Sequence, residues 1–146
     1  MFRLLGYDHV GIRVTDLSRA LEFYALIGFR IEPGEVWEEH DAVGLINDAG
    51  LRINLIYNGL SREERRNVLM DEPEKWPGLT HFALVVDSLE AVVTEMAEKG
   101  IALTGGPLRV GSRRTICFVR DPDGNVIEFD ELLSADDDSP VTSSGG

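Results

Sequence analysis

At 146 residues, 43% hydrophobic and 27% charged, the chain has the length and balance of one globular domain with a core of its own. Its net charge of −12 repels phosphate backbones and anionic lipid, which argues against nucleic-acid or membrane-surface binding. A single cysteine, Cys117, excludes an internal disulfide; with no membrane-length apolar run and no signal-peptide pattern, a cytoplasmic protein is expected.

Gly6 to Val14 reads as a strand with Val10, Ile12 and Val14 on one face and His9, Gly11 and Arg13 on the other. Asp16 is placed to cap a helix from Leu17 to about Ile27, whose Leu17, Ala20, Leu21 and Tyr24 cover the apolar face, and Gly28 ends it. Phe29 to Val36, Asp41 to Asn47 and Leu51 to Tyr57 then read as three strands. The first bends at Pro33-Gly34, and the last two are joined by a turn at Asn47-Asp48-Ala49-Gly50. On the last strand Arg52, Asn54 and Ile56 share a face.

A connector follows, in which Ser61-Arg62-Glu63-Glu64 fits a capping box and predicts a short helix to about Met70. Trp76 lies between Pro73 and Pro77, and a packing role is expected for it in preference to that of a lid. The first pattern then begins again. Leu79 to Val86 is a strand with His81, Ala83 and Val85 on one face, and Ser88 caps a helix from Leu89 to Lys99, ended by Gly100. Ile101 to Val110, Arg113 to Val119 and Asn125 to about Leu132 are the closing strands. The last is fed by the turn Asp121-Pro122-Asp123-Gly124, where Pro122 presets φ and Gly124 tolerates φ > 0.

His9 and His81 are 72 residues apart, as are Leu17 and Leu89, and Gly28 and Gly100. Asn54 and Glu128 correspond after a two-residue slip. The chain is therefore a duplicated βαβββ unit. One module spans residues 1–58, a linker 59–78, the second module 79–132, and an acidic tail, expected to be disordered, 133–146, all within one domain.

A carboxylate in mid-strand, as at Glu128 between Ile127 and Phe129, is costly unless it is solvated, paired or bound to a metal. A lone strand histidine is more often structural than a ligand. Two histidines at equivalent points of two repeats change that balance. If the sheets pair around a cleft, His9, Asn54, His81 and Glu128 meet there, and two imidazoles with one carboxylate make a divalent-metal site with open positions.

The duplicated unit, with Asp8-His9-Val10-Gly11-Ile12, Thr80-His81-Phe82-Ala83-Leu84 and the run from Phe118 through Asp121-Pro122-Asp123-Gly124-Asn125 to Glu128, resembles the vicinal oxygen chelate superfamily. That group includes glyoxalase I, methylmalonyl-CoA epimerase, fosfomycin-resistance enzymes, extradiol dioxygenases and bleomycin-resistance binding proteins. The resemblance covers about residues 4–132 and implies an α+β fold of duplicated βαβββ modules forming a cleft. It further implies a homodimer, a small-molecule substrate, and one divalent ion (Fe, Ni, Zn, Co or Mn) on His9, His81 and Glu128, with Glu128 the catalytic base. The chain departs from glyoxalase I at Asn54, where that enzyme has Glu. An amide oxygen brings neither charge nor a base, so metal affinity falls, Lewis acidity rises, and Asn54 is a fourth ligand or a substrate contact.

Arg13 and Arg52 share faces with His9 and Asn54, and with Arg109 they are expected to bind an anionic part of the substrate. Arg113 and Arg114 fit that role or a solvated hairpin edge equally well. His40, beside Glu38 and Glu39, is expected to be solvated. A glyoxalase-like lyase or isomerase is the leading expectation. Fe(II) extradiol-type ring cleavage and a metal-free, bleomycin-resistance-like binding protein are the alternatives.

Overall fold

The computed structural model describes residues 1–62 and 66–134. The chain divides into two compact units, Met1–Arg65 and Arg66–Gly146. Each carries one βαβββ module, so the fold is α+β with two mixed sheets. The acidic tail from 135 and the predicted cap residues Glu63 and Glu64 lie outside the described residues.

In the first unit β1 is Val10–Arg13, α1 Leu17–Leu26, β2 Arg30–Trp37, β3 Ala42–Ile46 and β4 Arg52–Ile56. The sheet order is β1-β4-β3-β2, with β1 parallel to β4 and the other pairs antiparallel. The Asp16 side chain accepts from the Arg19 amide and so caps α1 as its position predicts. Ala20, Phe23 and Tyr24 are the buried residues of α1; Ile12, Val14, Val43, Leu45, Ile53 and Leu55, alternating along three strands, supply the sheet side of the core. Tyr24 meets Phe23 and Phe29 edge to face, at 5.1 and 6.5 Å between ring centres. His40 closes a 3-10 turn, Glu38–His40, and is exposed, as expected.

The second unit repeats the plan with β5 His81–Val86, α2 Leu89–Glu98, β6 Gly105–Val110, β7 Arg114–Arg120 and β8 Val126–Leu132, in the order β5-β8-β7-β6. Ser88 caps α2 by accepting from the Ala91 amide. Ile127, Phe129, Cys117 and Val119 are buried on one face of this sheet, as are Leu89 and Met96 of the helix. Cys117 is thus a small core residue, and burial pushes its thiol up to about 11.

Several boundaries differ from expectation. The first strand begins at Val10, so His9 stands just before it, and β6 begins four residues after Ile101. Residues 66–70 are irregular backbone and a turn where the sequence predicts helix. The reason is local: Asn67 folds back on itself, its Oδ1 accepting from the amides of Leu69 and Met70, while its own amide donates to Asp71. Trp76, expected to pack, is 64% exposed. Among the described residues no helix is long and apolar enough to cross a membrane.

Candidate functional site

The register of the two sheets repeats the spacing seen in the sequence. Gly11 is the parallel partner of Asn54 on β4, and Ala83, 72 residues later, is the partner of Glu128 on β8. Each histidine therefore stands two residues before the position opposite the amide or the carboxylate, on the same face. The two-residue slip leaves this pairing unchanged.

In the first unit, Nδ1 of His9 lies 2.7 Å from Oδ1 of Asp8. A carboxylate only accepts, so Nδ1 carries the proton and Nε2 is left with its lone pair. The same hydrogen bond holds Asp8 below the usual carboxylate range. Asn54 is half-buried on the same face, and a side chain on Gly44, its cross-strand partner, would meet Asn54 Oδ1 at 3.4 Å, the Trp37 ring at 3.3 Å and Glu35 Cβ at 2.9 Å. Gly44 is thus the space that lets the indole of Trp37 lie beside Asn54. Sequence reasoning missed Trp37; a glycine in mid-strand was the available sign of a close approach.

In the second unit Nε2 of His81 lies 3.2 Å from Oε2 of Glu128, and its Nδ1 lies 2.8 Å from the Thr80 hydroxyl. The Phe118 ring meets His81 edge to face at 5.9 Å, from the strand position paired with Glu128. The Glu128 side chain is 12% exposed. Burial raises its proton affinity, and the neighbouring Asp130 raises it further, while His81 and Arg114 act in the opposite sense. The turn before β8 is fixed by Asp121, whose carboxylate accepts from the amides of Asp123 and Asn125 and from the Asn125 side chain. Asn67 donates to the Gly124 carbonyl, and Arg120 grips Asp71 through two bonds of 2.6 and 2.8 Å. These contacts set where the strand bearing Glu128 begins.

The donor set suits a divalent ion. Nδ1 of His9 is held by the Asp8 carboxylate, Nδ1 of His81 lies against the Thr80 hydroxyl, and Nε2 of His81 lies against Glu128; imidazole nitrogens and a carboxylate are donors of the type such an ion takes. Among the described residues no three His, Cys, Asp or Glu side chains form a group able to hold an ion by themselves.

The arginines expected to bind substrate each have a partner within the chain. Arg52 is engaged by Glu32 through two bonds of 2.9 and 3.0 Å, Arg13 donates to Asn58, and Arg109 donates to the Ser112 carbonyl. The guanidinium whose charge acts on Glu128 is that of Arg114, 3.0 Å from Asp130. That pair was not singled out from sequence, although the alternation of Glu128 and Asp130 already places both on one face.

Residues 6–129 match the model of the Glyoxalase/Bleomycin resistance protein/Dioxygenase superfamily. A lactoylglutathione lyase of Haemophilus influenzae is 31% identical over 134 residues, covering 86% of this chain and 92% of its own length. A trivalent organoarsenical cleaving enzyme of Bacillus sp. is 32% identical over 135 residues, covering 86% of this chain and 72% of that protein. The lactoylglutathione lyase of Schizosaccharomyces pombe is 28% identical over 84% of this chain, and the match spans only 46% of that longer protein. Among solved structures, a glyoxalase/dioxygenase of Nostoc punctiforme superposes with a TM-score of 0.69 at 21% identity, covering 89% of this chain and 92% of that one.

Proposed function

The chain belongs to the glyoxalase/bleomycin resistance protein/dioxygenase superfamily, and on that footing we propose a divalent-metal-dependent, glyoxalase-like lyase or isomerase acting on a small molecule with two neighbouring oxygens. His9, His81 and Glu128 hold the ion, which supplies Lewis-acid polarisation of those oxygens. One observation supports this most: Nδ1 of His9 is taken by the carboxylate of Asp8, which leaves its Nε2 lone pair available to ligate, while Nε2 of His81 already faces Glu128 at 3.2 Å.

The remaining roles follow from this chain's own groups. Glu128 Oε2 faces His81, and Oε1 is the oxygen that takes the proton from substrate carbon and returns it; burial raises its affinity for that proton. Asn54, neutral, hydrogen-bonds the substrate through its amide. Phe118, packed edge to face on His81, would cover an apolar part of the ligand beside it. The protein acts as a homodimer in the cytoplasm.

A second reading is favoured by Asn54 itself. With one carboxylate in place of two, the set is two histidines and one acid, the ligand class of Fe(II) oxygenases. Chelator-treated protein, reloaded in turn with Zn, Ni, Co, Mn or Fe(II), separates the two when assayed for lactoylglutathione turnover and for dissolved-oxygen uptake with catechol. Turnover without oxygen supports the lyase; uptake with iron alone supports the oxygenase. Absence of both with every ion contradicts both enzyme readings.

A further inference from the structure

Asp130 follows Glu128 by two residues on the same face of β8, which puts the two carboxylates about 7 Å apart along the strand. It is 3% exposed, yet only Oδ2 has a partner, the Nη1 of Arg114 at 3.0 Å; Oδ1 is buried with no hydrogen bond among the described residues. Such an arrangement is unfavourable for stability alone, since a buried carboxylate normally has both oxygens satisfied. Two other pairs in this chain show the alternative: Arg120 with Asp71 and Arg52 with Glu32 each close both bonds of the fork. Arg114 makes one bond, and no other hydrogen bond of its guanidinium occurs among the described residues.

The side chain of Arg114 is 49% exposed. Its cross-strand partners are Val110 on β6 and Leu132 on β8, both exposed apolar residues. A cation anchored from beneath by a buried acid, with an unspent guanidinium edge and apolar flanks, is suited to a planar carboxylate carried on an apolar body. In a chain of net charge −12 an anion needs such a local cation to approach, and Arg109 and Arg113 at the same hairpin add to it.

We propose that Arg114, oriented by Asp130, binds a carboxylate of the ligand about one strand step beyond Glu128, so that the substrate carries an acid group removed from its oxygen pair. The identity of the oxygen pair rests on the function proposed above, whereas anion binding at Arg114 needs no metal. Arg114 is thereby a specificity residue and Asp130 a positioning residue.

The test uses metal-free protein in chelator, with benzoate and its neutral counterpart benzamide as probes, followed through the arginine Nε–H resonances. Benzoate shifts the Arg114 signal and saturates, while benzamide does not. Arg114→Gln, in protein that still unfolds cooperatively, weakens benzoate at least about tenfold. Asp130→Asn, if folded, weakens it as well while leaving the Arg114 signal present but averaged; inorganic phosphate binds more weakly than benzoate. Equal binding of benzoate and benzamide, or undiminished benzoate binding in Arg114→Gln, overturns the inference. Because chelator is present throughout, failure of the metal reading leaves this result standing, and failure here leaves metal uptake intact.

Discussion

Nε2 of His81 and Oε2 of Glu128 are 3.2 Å apart on neighbouring parallel strands, so strand pairing alone brings these two side chains together. The arrangement has a cost. Burial and the charge of Asp130 hold Glu128 above its ordinary proton affinity, so ionising it at neutral pH disfavours the folded state. Glu128→Gln should therefore raise the melting temperature of metal-free protein at pH 7 by about a few degrees. The gain should shrink as pH falls below the ordinary glutamate range, where both states bind the proton. The same variant should lose the stabilisation that added Zn or Mn gives the wild type. Thermal melts with and without ion, at pH 7 and pH 4, read both effects.

In the proposed metal site, the task of Asp8 is to orient His9. Removing its carboxylate frees the ring to take the other tautomer or to turn away. Asp8→Ala should weaken metal binding roughly tenfold or more, with little change in the stability of metal-free protein, since Asp8 is exposed. Calorimetric titration with Zn in both proteins decides it; equal affinities would show that Asp8 does not position His9.

Much of this was legible in the residues, and the reasons differ from one element to another. Asp16 and Ser88 announced both helices because an N-cap is a local device that tertiary packing seldom overrides. The equivalence of His9 with His81, and of Asn54 with Glu128, survived into the register because strand pairing fixes which residues share a face. The partners of Arg52 and Arg114 were not legible. Glu32 lies 20 residues from Arg52 and Asp130 lies 16 from Arg114, and a bulge in β2 shifts its register by an amount no periodicity reveals. The connector failed for a related reason: a capping-box pattern predicted a helix, but Asn67 and Asp71 bond locally and dock onto Gly124 and Arg120.

The Asp71–Arg120 fork makes part of the stability depend on pH. Arg120, and after it the amide of Asn67, hold Asp71 at about 2, below its ordinary value of 3.8. A carboxylate depressed in the folded state contributes fully above pH 4, and the contribution disappears as pH falls through about 2. Asp71→Asn should thus cost ~1–2 kcal/mol at pH 7 after allowance for solvent screening, with the difference from wild type closing toward pH 2. Urea unfolding at pH 7, 4 and 2.5 measures this directly. A difference independent of pH would mean that the fork contributes by packing alone.

Gly44 should tolerate no side chain. The Cβ of Gly44→Ala would lie 2.9 Å from Glu35 Cβ and 3.3 Å from the Trp37 ring, so β2 or the indole must move. A loss of roughly 1–3 kcal/mol is expected, with a shift in Trp37 emission read in a Trp76→Phe background. Unchanged emission would place the indole away from Asn54.

The central claim is that His9, His81 and Glu128 hold one divalent ion, and metal content tests it most directly. Protein purified without oxygen and without a nickel column is analysed by mass spectrometry beside His81→Ala and Glu128→Gln. About one equivalent of a divalent ion per chain is expected in the wild type, and little or none in either variant after equal exposure to Zn, Ni, Co, Mn or Fe. Wild-type protein that takes up no ion under any of these conditions, or variants that bind it as well as the wild type does, would contradict the account.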